Sequence, residues 1–125
     1  ETNFRKVFED DKLRDVVKVI SKSNRNVFPV VDKNNKLKGI VVLDDIRDII
    51  FKSEMYDKVS VREIMISPKP YLVNINENME KVAEKFQLTG NFNLPVVDGD
   101  KYIGFISRAR VFSNYRRLLK KFSED

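Results

Sequence analysis

One spacing recurs along this chain and limits what it can fold into. Leu13, Val16, Val17 and Ile20 follow the i, i+3, i+4, i+7 rhythm of a helix with one buried face. Met79, Val82, Ala83 and Phe86 repeat that rhythm 66 positions later. At the same offset Phe28-Pro-Val-Val-Asp32 returns as Leu94-Pro-Val-Val-Asp98. Asp10 returns as Asn76, and both are residue types that cap helix N-termini. One offset held across a helix and a strand marks an internal duplication.

After each aspartate comes a turn, Lys33-Asn-Asn-Lys36 in the first copy and Gly99-Asp-Lys101 in the second. Asn, Gly and Asp tolerate the positive φ of tight hairpins. The second turn is one residue shorter, and the offset becomes 65: Gly39-Ile-Val-Val42 returns as Gly104-Phe-Ile-Ser107. A second helix is predicted in each copy. Ile46, Ile49 and Ile50 form the apolar stripe of one, and Val111, Tyr115, Leu118 and Phe122 that of the other. The first strands are predicted near Phe4–Val7 and Tyr71–Val73.

Each copy thus reads strand, helix, strand, strand, helix. The first spans residues 1–52 and the second 70–125, ending in a basic helix. Residues 53–69 form a linker with a short helix at Val61-Arg-Glu-Ile-Met65 and breakers at Pro68 and Pro70. Neither copy alone covers its sheet. The expected fold is an α+β sandwich of two βαββα repeats packed about a pseudo-two-fold axis, with a cleft on each side.

Cysteine and histidine are both absent, which removes thiolate and imidazole metal sites and the commonest general base. No Gly-rich phosphate loop or nucleophile elbow occurs. Asp44 and Asp45 are adjacent, and neighbours on a helix diverge by about 100°. The chain therefore reads as a non-enzyme without a metal site. The net charge is +5, but the basic residues are spread out and lack aromatic interleaving, which argues against nucleic acid. The longest apolar run, Gly39–Leu43, is strand-sized, and no signal peptide is visible. The chain opens on Glu1 rather than Met, as a piece of a longer protein would.

The doubled pattern Pro-Val-Val-Asp, hairpin, Gly-hydrophobic-hydrophobic, helix resembles a tandem pair of CBS domains, a Bateman module. Asn24–Asp32, Val42–Arg47, Phe92–Asp98, Gly104–Ser107 and Tyr115–Leu119 together resemble the cytoplasmic C-terminal CBS pair of bacterial CLC-type chloride channels and transporters. The resemblance implies a regulatory homodimer attached to the transmembrane part of a transporter. It would lie on the cytoplasmic face of the inner or plasma membrane and modulate gating or assembly. It requires no cofactor and implies AMP, ADP or ATP as the effector. The alternatives are a nucleotide-sensing module of another protein and a ligand-free dimerisation scaffold.

The family pattern places Ser or Thr three residues after the glycine and Asp three further on. The hydroxyl serves phosphate and the carboxylate serves ribose. In the first copy these positions hold Val42 and Asp45, and in the second Ser107 and Arg110. Neither copy has the full pair, so nucleotide binding is expected to be weak. Arg110 cannot accept a ribose hydrogen bond but can pair with a phosphate or with an acid of the partner copy. Arg25-Asn26 resembles the segment that lines the base pocket. The plain readings stand beside these: Asp45 as a helix N-terminal acid, Ser107 as an N-cap, Arg25-Asn26 as a polar loop. Arg108, Arg110, Arg116, Arg117, Lys120 and Lys121 precede the first acid of the last helix, Glu124. They read as a solvated face or as a contact for anionic lipid or an acidic partner.

Overall fold

The structure, a computed structural model, describes residues 6–123, with the side chains of Tyr115, Leu118, Phe122 and Ser123 outside the description. The first copy comprises β1 (Val7–Phe8), α1 (Leu13–Ser21), β2 (Val27–Val31) and β3 (Leu37–Val42). After α2 (Val61–Ile64) the second comprises β4 (Val73–Asn74), α3 (Met79–Thr89), β5 (Asn93–Asp98), β6 (Lys101–Ser107) and α4 (Arg108–Ser123). Each copy forms a three-stranded sheet, β1-β2-β3 and β4-β5-β6, with a parallel pair followed by an antiparallel one.

The duplication extends to fine detail. Val7 faces Val30 and Val73 faces Val96, and each hairpin shifts register at the second valine of its Pro-Val-Val. Asn35 turns the first hairpin with φ 66°, and Gly99 turns the second with φ 69°. The two turns then meet. Leu37 N–H donates to Asp100 O at 2.9 Å, and Tyr102 N–H to Asn35 O at 3.0 Å. These bonds exchange under the 65-residue offset, and Lys36 bridges Lys101, its own equivalent. The pseudo-two-fold axis passes through this contact.

Phe28, Leu13, Val16, Val30 and Val41 are buried in the first core, and Phe86, Leu94, Val82 and Val111 in the second. Much of the 53–69 segment, from Met55 to Met65, packs on the first core. Val59 and Val61 are buried in it, with Met55, Tyr56, Ile64 and Met65 packed alongside. Arg14 holds Asp57 through two bonds of 2.9 Å.

Several elements differ from the sequence expectation. Asp10 and Asn76 cap nothing. Asn78 caps α3, its Oδ1 accepting Lys81 N–H at 2.9 Å, and Lys12 holds the equivalent place before α1. The preceding acids act one turn earlier. Asp11 accepts from Phe8 N–H and its counterpart Glu77 from Asn74 N–H, closing the strand-to-helix turn. The second helix of copy one is a single 3-10 turn, Leu43–Ile46, continued by irregular turns. Three aspartates within five residues, Asp44, Asp45 and Asp48, are weak helix formers. Ile46 is still buried, and Ile49 and Ile50 still pack against the core. Strand β4 starts two residues later than Tyr71, whose N–H is taken by Pro68 O in the turn. Phe4 and Glu124 lie outside the described residues, as do the side chains of Tyr115, Leu118 and Phe122.

Candidate functional site

The start of each second helix is clamped to the loop before its own Pro-Val-Val strand. Leu43 N–H donates to Asn26 O, and Arg108 N–H donates to Phe92 O, both at 2.8 Å. These bonds are again equivalent under the duplication. They bring the loop Asn24–Asn26 and the loop Asn91–Asn93 to the two helix starts. The loops also face each other, with Asn91 Nδ2 buried and without a protein partner in a small gap between them.

Beside this junction lies an open cleft of about 410 Å³, lined by residues of both copies. Arg25 reaches in from the first copy. Its guanidinium carbon sits 4.0 Å from the centroid of the Phe105 ring, a stacked cation–π contact. Asn93, Gly104, Ser107 and Arg110 come from the second copy, with Ile75 and Ile103 as apolar wall. Ser107 caps α4, its hydroxyl oxygen accepting Arg110 N–H at 3.1 Å. The capping oxygen retains its own proton to donate, so the cap and a phosphate contact are compatible. Arg25, Arg110 and the N-terminus of α4 line this cleft, an arrangement that favours an anion.

The structure brings together Arg25, Ser107 and Arg110 of the sequence-identified residues. Asn26 is exposed and lines the inter-loop gap instead. Asp45 is exposed on the 3-10 turn and does not line the cleft. Phe105 and Asn93 are additions. Phe105 stands in the repeat where Ile40 stands, and Asn93 where Val27 stands. A polar or aromatic residue replacing an aliphatic one in an otherwise faithful repeat is a signal available in the sequence.

The two halves are unequal on the ligand side. Gly104 has φ 148° and nothing within 4 Å of where a Cβ would lie. Its equivalent Gly39 is covered: a Cβ there would sit 2.9 Å from Met65 Sδ and 3.0 Å from Ile66 O. Ile66 and Ile40 exchange two backbone hydrogen bonds, 3.0 and 2.8 Å, sealing the β3 edge. Among the described residues no cluster of acids could hold a metal ion.

The CBS domain family matches residues 1–52 and 61–117. A curated, uncharacterised protein of Methanocaldococcus jannaschii is 35% identical over 107 residues, covering 84% of this chain and 38% of that protein. The chain spans roughly a fifth to a half of the length of the curated relatives it matches. A CBS domain pair/ACT domain protein of Thermotoga maritima superposes with TM-score 0.76 at 21% identity, covering 95% of this chain and 93% of that one. A protein named CBSX2, solved in complex with AMP, superposes with TM-score 0.71 at 27% identity, covering 90% and 87%.

Proposed function

From the premise that this chain belongs to the CBS-domain family, as a tandem pair, we propose that it is a regulatory dimerising module that senses an adenine nucleotide in the cleft of its second copy. One observation carries the reading: Arg25, Ser107 and Arg110, from both copies, converge on one open cleft at the N-terminus of α4. A ligand there touches both copies, so it biases their relative packing by its differential affinity for two arrangements. The AMP complex of CBSX2 supports an adenine nucleotide as the ligand class.

The cleft departs from a ribose-reading site. Arg110 offers donors and charge where a carboxylate would accept ribose hydroxyls. Binding is therefore weak and rests on phosphate, with ATP and ADP ahead of AMP. Titration calorimetry with the three nucleotides tests this. The expected result is that order of affinity, with the ATP preference lost in Arg110→Ala. Tightest binding of AMP, indifferent to Arg110→Ala, overturns it. No binding of any nucleotide leaves a ligand-free dimerisation scaffold.

The resemblance of Val42–Arg47 and Tyr115–Leu119 to chloride-transporter modules supports a second element, attachment to a transmembrane part that the module gates. No described helix is long and apolar enough to cross a membrane, so that part would lie elsewhere in a parent chain. The parent sequence tests it: a run of apolar helices supports the attachment, and a fully water-soluble parent removes it.

A further inference from the structure

A cavity of about 920 Å³ opens between the end of α3 and the first half of α4. The described residues that line it all belong to the second copy. Three are aromatic, Phe86, Phe92 and Phe112, and two are cationic, Arg108 and Arg116. Arg108 lies over the Phe92 ring, its guanidinium carbon 5.1 Å from the centroid. The 2.8 Å bond from Arg108 N–H to Phe92 O ties the same two residues at the backbone. No acid stands among the described lining residues, and neither arginine has an acidic partner among the described residues. The first copy differs at just these places. Leu43 stands where Arg108 stands, and Asn26 where Phe92 stands. Asp44, in place of Ala109, pairs with Arg47 at 2.7 Å. Only the second copy keeps two cations beside aromatic rings with no carboxylate to neutralise them.

We infer that this cavity binds a small aromatic carboxylate, a ligand separate from the nucleotide of the cleft. The ring of such a molecule packs against Phe92 and Phe112. Its carboxylate takes the guanidinium forks of Arg108 and Arg116, which match two oxygens at once. A guanidinium stacked on a ring still presents its donors at the edge, so Arg108 holds its place over Phe92 and bonds the anion together. No lining carboxylate is present to accept from ribose hydroxyls, so a nucleotide gains little here beyond its charge. The cavity and the cleft share Asn93 and Ser107 as lining residues, so the two sites flank the start of α4.

Anthranilate, a fluorescent aromatic carboxylate, tests this, with anthranilamide as its uncharged counterpart. Anthranilate should bind the protein saturably, and anthranilamide at least about fivefold more weakly. Arg108→Ala and Arg116→Ala should each weaken anthranilate at least about threefold. Phe92→Ala should weaken both compounds several-fold. All three residues are exposed, so the variants should fold as the wild type does. Arg110→Ala, in the nucleotide cleft, should leave anthranilate affinity unchanged whether or not a nucleotide binds there. Backbone amide shifts on titration should centre on Gly90, Ala109 and Phe112. Equal affinity for the two compounds, or indifference to both Arg108→Ala and Arg116→Ala, overturns the inference. Shifts centred on Gly104 and Phe105, with binding lost in Arg110→Ala, place anthranilate in the cleft and overturn it too. So does the lack of any saturable binding.

Discussion

Asn35 and Tyr102 join the two copies by a reciprocal pair of hydrogen bonds. Tyr102 N–H donates to Asn35 O at 3.0 Å, and Asn35 Nδ2 donates to Tyr102 O at 2.7 Å. Lys6 Nζ adds a 3.0 Å bond to Asn35 Oδ1. Asn35 also needs its φ of 66°, which only Gly and Asn adopt readily. Two substitutions separate these roles. Asn35→Gly keeps the turn and loses the amide bonds, at a cost of about 1 kcal/mol. Asn35→Ala loses both, at about 2 kcal/mol. Urea unfolding of the two variants should give that order.

Phe105 props the Arg25 guanidinium at the cleft. Phe105→Ala removes a cation–π contact worth about 1 kcal/mol from the Arg25 guanidinium. ATP affinity should fall several-fold with little change in unfolding midpoint, since Phe105 is only half-buried. Asp45→Ala should leave ATP affinity unchanged, because Asp45 lies outside the cleft. Titration calorimetry on both variants checks the pair of outcomes.

The duplicated strands and hairpins were legible because turn chemistry and apolar rhythm act locally: Asn35 and Gly99 announce their turns whatever surrounds them. The single helical turn at Leu43–Ile46 was hidden. Its isoleucine spacing fits a helix, yet the weak helix propensity of Asp44, Asp45 and Asp48 and the core that holds Ile46 decide the backbone. The N-cap positions fall two residues beyond Asp10 and Asn76, after a strand-to-helix turn that Asp11 and Glu77 close. Ser107 and Arg110 came from the pattern of the resembled family, and both line the cleft. The stacking of Arg25 on Phe105 was not, because the residues are far apart in sequence and meet only through the pairing of the two copies.

The 55–65 stretch packs on the first core, which sets two substitutions apart. Val61 is fully buried, and Val61→Ala should cost about 2 kcal/mol through lost burial and a residual cavity. Asp57→Ala removes an exposed ion pair with Arg14 and should leave stability nearly unchanged. Limited proteolysis should leave 55–65 uncut in the wild type and in Asp57→Ala, and expose it first in Val61→Ala.

Gly39 should tolerate substitution poorly for a reason that Gly104 does not share. An added methyl at Gly39 meets Met65 Sδ, which can move, and Ile66 O, which cannot without breaking its bonds to Ile40. Gly39→Ala should cost about 1–3 kcal/mol by overpacking. Adding Met65→Ala should restore only part of it, because the backbone contact remains. Thermal unfolding of the single and double variants measures the recovery, and full recovery would assign the whole clash to the thioether.

Acid should unfold the second copy partly through Glu77. Burial pushes its carboxyl up, but the Lys85 ammonium at 2.6 Å and the Asn74 N–H together outweigh it and hold it below the ordinary glutamate value. A carboxyl depressed in the folded state binds protons more readily when unfolded. Its contribution is complete above the usual glutamate range and fades as pH drops through the folded value. The same Lys85 ammonium donates to Leu72 O at 2.8 Å, tying α3 to the chain entering β4. Glu77→Gln should lower stability at neutral pH by about 1–2 kcal/mol. It should also flatten the loss of stability on acidification below pH ~4.5. Unfolding free energies of wild type and variant should therefore converge as pH falls, and a constant gap across that range would show that the Glu77–Lys85 pair carries no proton-linked stability.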